Sequence, residues 1–148
     1  MTPDRYSHGH HESVLRSHRW RTAENSAAFL LPHLGSGLSL LDVGCGPGSI
    51  TVELASRVGN GEVIGIDVAK EVIAAAANEF ASPERGNLRF AVRDAYELGF
   101  SDHRFDVVYA RQVLQHLSDP VAALVEMRRV LKPGGLLAIR DADYGAFA

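Results

Sequence analysis

Five short apolar runs recur along this chain, with helical spacing between them. The runs are residues 38–43 (LSLLDV), 62–67 (EVIGID), 88–93 (LRFAVR), 105–110 (FDVVYA) and 136–140 (LLAIR). Each has the length and β-branched or aromatic content of a buried strand. Helical stretches fall at 49–58, at 71–80 and from Pro120 to Leu131, with a short helical or irregular piece at 95–98. Ser118-Asp119-Pro120 supplies a capping side chain and a proline at the first helical position. Gly59-Asn60-Gly61 and Lys132-Pro133-Gly134-Gly135 break the chain before the second and fifth runs. Strands alternating with helices imply a doubly wound α/β fold, a mainly parallel sheet with helices on both faces. Ahead of it, residues 1–10 are expected to form an arm and residues 11–34 a helical region in two pieces, kinked near Pro32. The chain therefore divides into an N-terminal arm with covering helices (1–37) and an α/β core (38–148).

At 148 residues with 46% hydrophobic content, this is one domain able to bury a real core. A net charge of -3 and a pI near 6.1 argue against a phosphate-binding surface, so no nucleic-acid partner is expected. The one cysteine, Cys45, excludes an intrachain disulfide and points to a reducing compartment. The polar start MTPDRYSHGHHES lacks the apolar centre of a signal peptide, and no run reaches membrane-span length. The expectation is a soluble, cytoplasmic protein without a membrane span.

Between the first strand and first core helix lies LLDVGCGPGS, residues 40–49. Gly44 and Gly46 allow a sharp turn and a close backbone approach to a ligand, and the helix that follows presents its N–H groups there. A phosphate loop would need a lysine followed by serine or threonine, which is lacking here. The dinucleotide fingerprint needs glycine or alanine where Ser49 stands; the third glycine is Gly48, one place early. Asp67 ends the second strand 23 residues after Gly44, where a carboxylate can accept from a ribose diol. That spacing leaves both NAD and S-adenosylmethionine open.

Five segments in order then carry a family resemblance: LLDVGCGPGS (40–49), VIGIDVA (63–69), FAVRDAYEL (90–98), FDVVYARQVLQHLSDP (105–120) and RRVLKPGGLLAI (128–139). Together they resemble the class I S-adenosylmethionine-dependent methyltransferases, of Rossmann-like fold, and within them the small-molecule branch of the ubiquinone and menaquinone pathway enzymes. The resemblance implies S-adenosyl-L-methionine as cofactor and a small organic acceptor. It implies that Gly44, Cys45, Gly46 and Gly48 line the methionine end, with Asp42 supporting the loop or reaching the amino group through water. It further implies that Asp67 binds the ribose, Val68 packs on the adenine, and Asp94 with the Ala95 backbone meets the adenine amine. Ala110, Arg111 and Gln112 would stand near the methyl donor, and Tyr6 with His10 and His11 would belong to a lid.

Bland readings stand beside these. Cys45 lies between glycines where a small residue is needed, so a structural role outweighs a nucleophilic one. The His8–His11 cluster lacks partners at ligand spacing, and no metal site is expected. Asp106, at a strand start, is expected to be structural. Asp94 could instead cap the piece after it. His116 is a candidate general base near the acceptor entrance, or else a packed histidine. A Pro-Pro-aromatic motif after the fourth strand is missing, as is a cysteine in that region, which removes DNA methylation and leaves a small-molecule acceptor. The family's sheet has seven strands in the order 3-2-1-4-5-7-6. A chain with five is therefore expected to be a truncated core, its fifth strand an edge for a second copy or a partner chain. Two competitors are a non-catalytic S-adenosylmethionine-binding module and an NAD-dependent oxidoreductase, the latter disfavoured by Ser49 and the Asp94 segment.

Overall fold

The computed structural model describes residues 23–141. Its strands are β1 (Ser39–Val43), β2 (Glu62–Asp67), β3 (Leu88–Val92), β4 (Phe105–Arg111) and β5 (Leu131–Arg140). They form one sheet in the order β3-β2-β1-β4-β5, every pairing parallel. The helices are α1 (Ala23–Ser26), α2 (Ser49–Arg57), α3 (Lys70–Phe80) and α4 (Pro120–Val130). Of the predicted N-terminal helices, the described part is α1 and a short 3-10 turn at Leu31–His33 that contains Pro32. Tyr6, the histidine cluster and the rest of residues 1–22 lie outside the described residues.

Period-two alternation sorts the strands into two cores. Leu40, Val63, Val107 and Tyr109 face one side, where they pack with Leu54, Ala55 and Val58 and with Ala23, Ala27 and Leu30. Leu41, Val43, Ile64, Ile66, Val108 and Ala110 face the other and meet Ala123, Met127 and Val130 of α4. The helices supply matching stripes. Thr51, Leu54 and Ala55 are buried on α2, and Ala123, Met127 and Val130 on α4, spacings of three and four residues. Asp119 caps α4, its Oδ1 accepting from the Ala122 N–H at 3.1 Å, and Pro120 follows at the first helical position. No helix among the described residues is long and apolar enough to cross a membrane.

The opposite, N-terminal pole of the sheet is tied by charge. Asp106 Oδ2 accepts from the Ser39 N–H at 2.9 Å and faces Lys132 Nζ at 3.2–3.3 Å, the structural role the sequence suggests. The Ser39 N–H foremost, with Lys132, holds the Asp106 carboxyl below its usual range against burial. Glu62 bridges Arg104 and Arg89. Burial pushes the Glu62 carboxyl up, but Arg104, Ser39 and Arg89 outweigh it and hold it low.

One boundary differs from expectation. The last strand begins at Leu131, directly after α4, and Lys132-Pro133-Gly134-Gly135 lies within its span. The ladder pairs Leu131 with Phe105, skips, and resumes with Leu136 opposite Val107. Pro133 has no N–H to give to a ladder, so this four-residue stretch loops out between two paired ends.

Core and surface positions on α4 make contrasting tests. Met127→Ala removes a fully buried side chain and is expected to cost roughly 2–5 kcal/mol in urea unfolding. Val121→Ala, at an exposed position, is expected to change stability by less than about 0.5 kcal/mol. Similar costs at both would contradict the facing of α4.

Candidate functional site

The chain runs outward from β1 to β2 to β3, then returns to the other side of β1 for β4 and β5. This reversal opens a crevice at the carboxyl ends of the strands, the usual ligand position in open α/β sheets. A cavity of about 250 Å³ lies there, its lining including Gly44, Asp67, Val68, Asp94, Ala95, Val113, His116 and Leu117.

The loop after β1 is built from left-handed glycines. Gly44, Gly46 and Gly48 have φ of 71°, 55° and 87°. A Cβ on Gly44 would lie 2.5 Å from Val113 Cγ2, and one on Gly48 would lie 2.9 Å from the Phe90 ring. Both places need glycine for conformation and for room. The N–H groups of Gly44 and Cys45 both donate to the Ile66 carbonyl, at 2.8 and 2.9 Å.

Two buried carboxylates lie at this loop, one bonded to it and one to the helix that follows. Asp67 Oδ2 accepts from the Gly46 N–H at 3.1 Å, and its Oδ1 accepts from the Ala69 N–H at 2.9 Å. Asp42, 3% exposed, lies beneath the loop, and Thr51 Oγ1 donates to its Oδ2 at 2.8 Å. Burial pushes the Asp42 carboxyl up to about 7, the Thr51 hydroxyl opposing and the Asp67 charge adding to the rise. Cys45 points under the loop, its Sγ 3.6 Å from the Gly46 carbonyl. Burial, helped by the charges of Asp42 and Asp67, pushes its thiol well up, so it stays protonated.

The cavity brings together Gly44, Asp67, Val68, Asp94, Ala95 and His116 of the residues singled out from sequence. Asp42, Cys45, Gly46, Gly48, Ala110, Arg111 and Gln112 do not line it. Ala110 is fully buried in the α4-side core. Gln112 carries a left-handed φ of 55° and gives its N–H to the Arg140 carbonyl at 2.7 Å, which turns the chain sharply after β4. Asp94 lines the cavity, and its Oδ1 accepts from the Tyr96 N–H at 2.8 Å, a local turn contact where a helix cap was one of the two expectations. No helix follows; Asp94 and Glu97 form an isolated antiparallel bridge. Burial holds the His116 imidazole below its usual range, and the charge of Asp141 opposes this.

Arg93, Val113 and Leu117 were not foreseen. Arg93 lies over the Phe100 ring at 5.5 Å and forms part of the cavity wall. Val113 and Leu117 flank the 3-10 turn Leu114–His116, whose fold no sequence pattern announces.

The residues present suit a nucleoside with a charged tail. Asp67 stands on the cavity wall as a carboxylate, a group able to accept from a diol. Val68, 56% exposed on the cavity wall, offers an apolar surface to a flat ring.

Comparison with known proteins identifies the family. Residues 34–146 match a family model described as a methyltransferase domain. An uncharacterised methyltransferase of Schizosaccharomyces pombe is 40% identical over 144 residues, covering 93% of this chain and 52% of its own length. The demethylmenaquinone methyltransferase of Staphylococcus aureus (strain MRSA252) is 42% identical over 102 residues, covering 68% of this chain and 42% of its own. A solved S-adenosylmethionine-dependent methyltransferase from Aquifex aeolicus superposes with a TM-score of 0.70 at 30% identity, covering 76% of this chain and 61% of that one. The chain spans about half the length of the curated relatives it matches.

The state of Asp42 is open to test by stability. A carboxyl titrating near 3.8 when unfolded and about 7 when folded binds more protons in the folded state across that interval. Its contribution to stability therefore falls as pH rises from about 4 to about 7. Asp42→Asn is expected to gain Tm relative to wild type between pH 5 and pH 8. An unchanged Tm difference would mean that Asp42 is ionised throughout.

Proposed function

The chain belongs to the methyltransferase-domain family, and from that premise we propose that it moves the methyl group of S-adenosylmethionine to a small organic acceptor by in-line displacement. The observation that carries this reading is the cavity where Gly44, Asp67, Val68 and Asp94 converge at the carboxyl ends of β1 and β2. When bound, the sulfonium of the donor supplies an electrophilic methyl group and departs as a neutral thioether.

The chain's own residues bind, orient and exclude water. Asp67, on the cavity wall, accepts from the ribose hydroxyls. Val68, Ala95 and Leu117 cover the adenine, and the second carboxylate oxygen of Asp94 accepts from the exocyclic amine. The glycine loop lets the backbone come close to the methionine end, its own N–H groups being given to Ile66, Asp67 and Cys45. The start of α2 presents N–H groups there. Gln112 and the turn after β4 shape the acceptor entrance, and correct alignment there contributes several kcal/mol to the rate. His116, neutral at pH 7 because its pKa is lowered, takes a proton from a hydroxyl acceptor. The acceptor is a small molecule, in keeping with the absence of a strongly basic balance.

Calorimetric titration with S-adenosylmethionine, S-adenosylhomocysteine and NAD tests the reading. Both sulfur ligands are expected to bind, with NAD far weaker. Asp67→Ala is expected to lose roughly tenfold to a hundredfold in affinity for them, as a charged hydrogen-bond acceptor is removed. NAD binding without the sulfur ligands, or an indifferent Asp67→Ala, would overturn it. Binding without turnover on a panel of phenols, quinones and amines would favour a non-catalytic binding module.

A further inference from the structure

Among the described residues that line the cavity, Arg93 alone is an arginine or lysine, and the steps above give it no task. It stands directly after β3 and directly before Asp94. Its backbone N–H donates to the Asp67 carbonyl at 3.1 Å, which ties it to the end of β2.

An exposed arginine ordinarily keeps many rotamers, and fixing it costs entropy. Here three neighbours hold it. The guanidinium carbon lies 5.5 Å from the centre of the Phe100 ring, and Nη1 donates to the Val92 carbonyl at 3.2 Å. Nε lies 3.4 Å from the place that a Cβ on Gly99 would take. Gly99 has a left-handed φ of 76°, so glycine suits the backbone there and also leaves room for the arginine. Phe100 in turn meets the fully buried Phe105 edge-on, ring centres 5.1 Å apart. The guanidinium is thereby anchored to the core from the cavity wall.

A guanidinium carries five N–H donors, and the Val92 carbonyl takes one of them. Among the described residues Arg93 forms no ion pair with Asp67 or Asp94, although all three line the cavity. Arg93 and Asp94 are thus sequence neighbours of opposite hydrogen-bonding sense: one only donates, the other, when ionised, only accepts. Adenine carries the matching groups on its edge. Its exocyclic amine donates, and a ring nitrogen on either side of that amine accepts.

Resting on the methyltransferase reading, we propose that Arg93 is a specificity-determining residue for the base of the donor. Its guanidinium donates to an adenine ring nitrogen beside the amine from which Asp94 accepts. The base is the same in S-adenosylmethionine and in the by-product S-adenosylhomocysteine, so the contact strengthens both equally. Because Arg93 is held before the ligand arrives, little ordering cost is left for binding.

The test is calorimetric titration of wild type, Arg93→Met and Arg93→Lys with four ligands. These are S-adenosylmethionine, S-adenosylhomocysteine and two analogues of the latter, in which CH replaces either N1 or N7 of adenine. Arg93→Met keeps an apolar stem for the Phe100 ring and removes every donor. At an exposed position it is expected to keep the wild-type Tm within a few degrees. In wild type one analogue is expected to bind about tenfold to a hundredfold more weakly than S-adenosylhomocysteine. Arg93→Met is expected to weaken both natural ligands by that same factor, and to bind that analogue and S-adenosylhomocysteine alike. Arg93→Lys, a point charge without the planar fork, is expected to fall between. If Arg93→Met leaves the affinity for S-adenosylhomocysteine unchanged, or keeps the full wild-type preference over both analogues, the role of Arg93 is overturned while the methyltransferase reading stands. A variant that gains affinity for the donor as it loses the by-product overturns it too, since Arg93 would then act on the sulfonium charge. If neither sulfur ligand binds wild type, the methyltransferase reading falls and this inference with it.

Discussion

The crevice depends on one side chain, Asp67. Its two oxygens take the N–H groups of Gly46 and Ala69, which belong to the loop after β1 and the turn into α3. A single buried carboxylate thus fixes two loops against each other, and both form the same ligand wall. Such charge-assisted bonds are roughly twice as strong as neutral ones. They also satisfy backbone donors that would otherwise be buried without partners. The Ile66 carbonyl adds to this by accepting from both Gly44 and Cys45. The end of β2 is therefore a scaffold for the loop of β1, and the cavity exists because neighbouring parallel strands share this joint.

The two poles of the sheet divide the electrostatic work. At the N-terminal pole, Glu62 with Arg104 and Arg89, and Asp106 with Lys132, form partly exposed pairs. Pairs of that kind contribute little each, and the register comes chiefly from the apolar alternation that buries Leu40 and Leu41 on opposite faces. At the C-terminal pole the carboxylates of Asp42 and Asp67 are buried, so the same chemistry has far larger consequences there. Stability and ligand handling are thus separated along the strand axis.

Most of the sheet was legible in the sequence because its signals are local and strong. β2 falls at residues 62–67 as its composition predicts, and Asp119-Pro120 starts α4 where capping chemistry places it. The loop glycines could also be read, since a left-handed backbone leaves few other residues available. What could not be read depends on tertiary contact. Val113 reaches over Gly44 only because the chain turns sharply at Gln112, and that turn is stabilised by Arg140, 28 positions away. Arg93 joins the cavity wall through Phe100, on a segment without regular structure. The strand start at Leu131 was hidden for the opposite reason: Pro133 and the two glycines are strong local breakers, yet pairing with Phe105 persists on their far side.

The balance of polar and apolar groups around the cavity constrains what can occupy it. Val68 is 56% exposed beside the exposed Asp94, and water at such an apolar wall is displaced at a gain of about 25 cal/mol per Å² covered. A purely apolar guest would collect that gain but offer no donor to the carboxylates of Asp67 and Asp94 on the same wall. A purely polar guest would satisfy Asp67 and leave Val68 and Leu117 in contact with water. A flat ring joined to adjacent hydroxyls satisfies both demands at once, since Val68 directly follows Asp67 and both line the cavity.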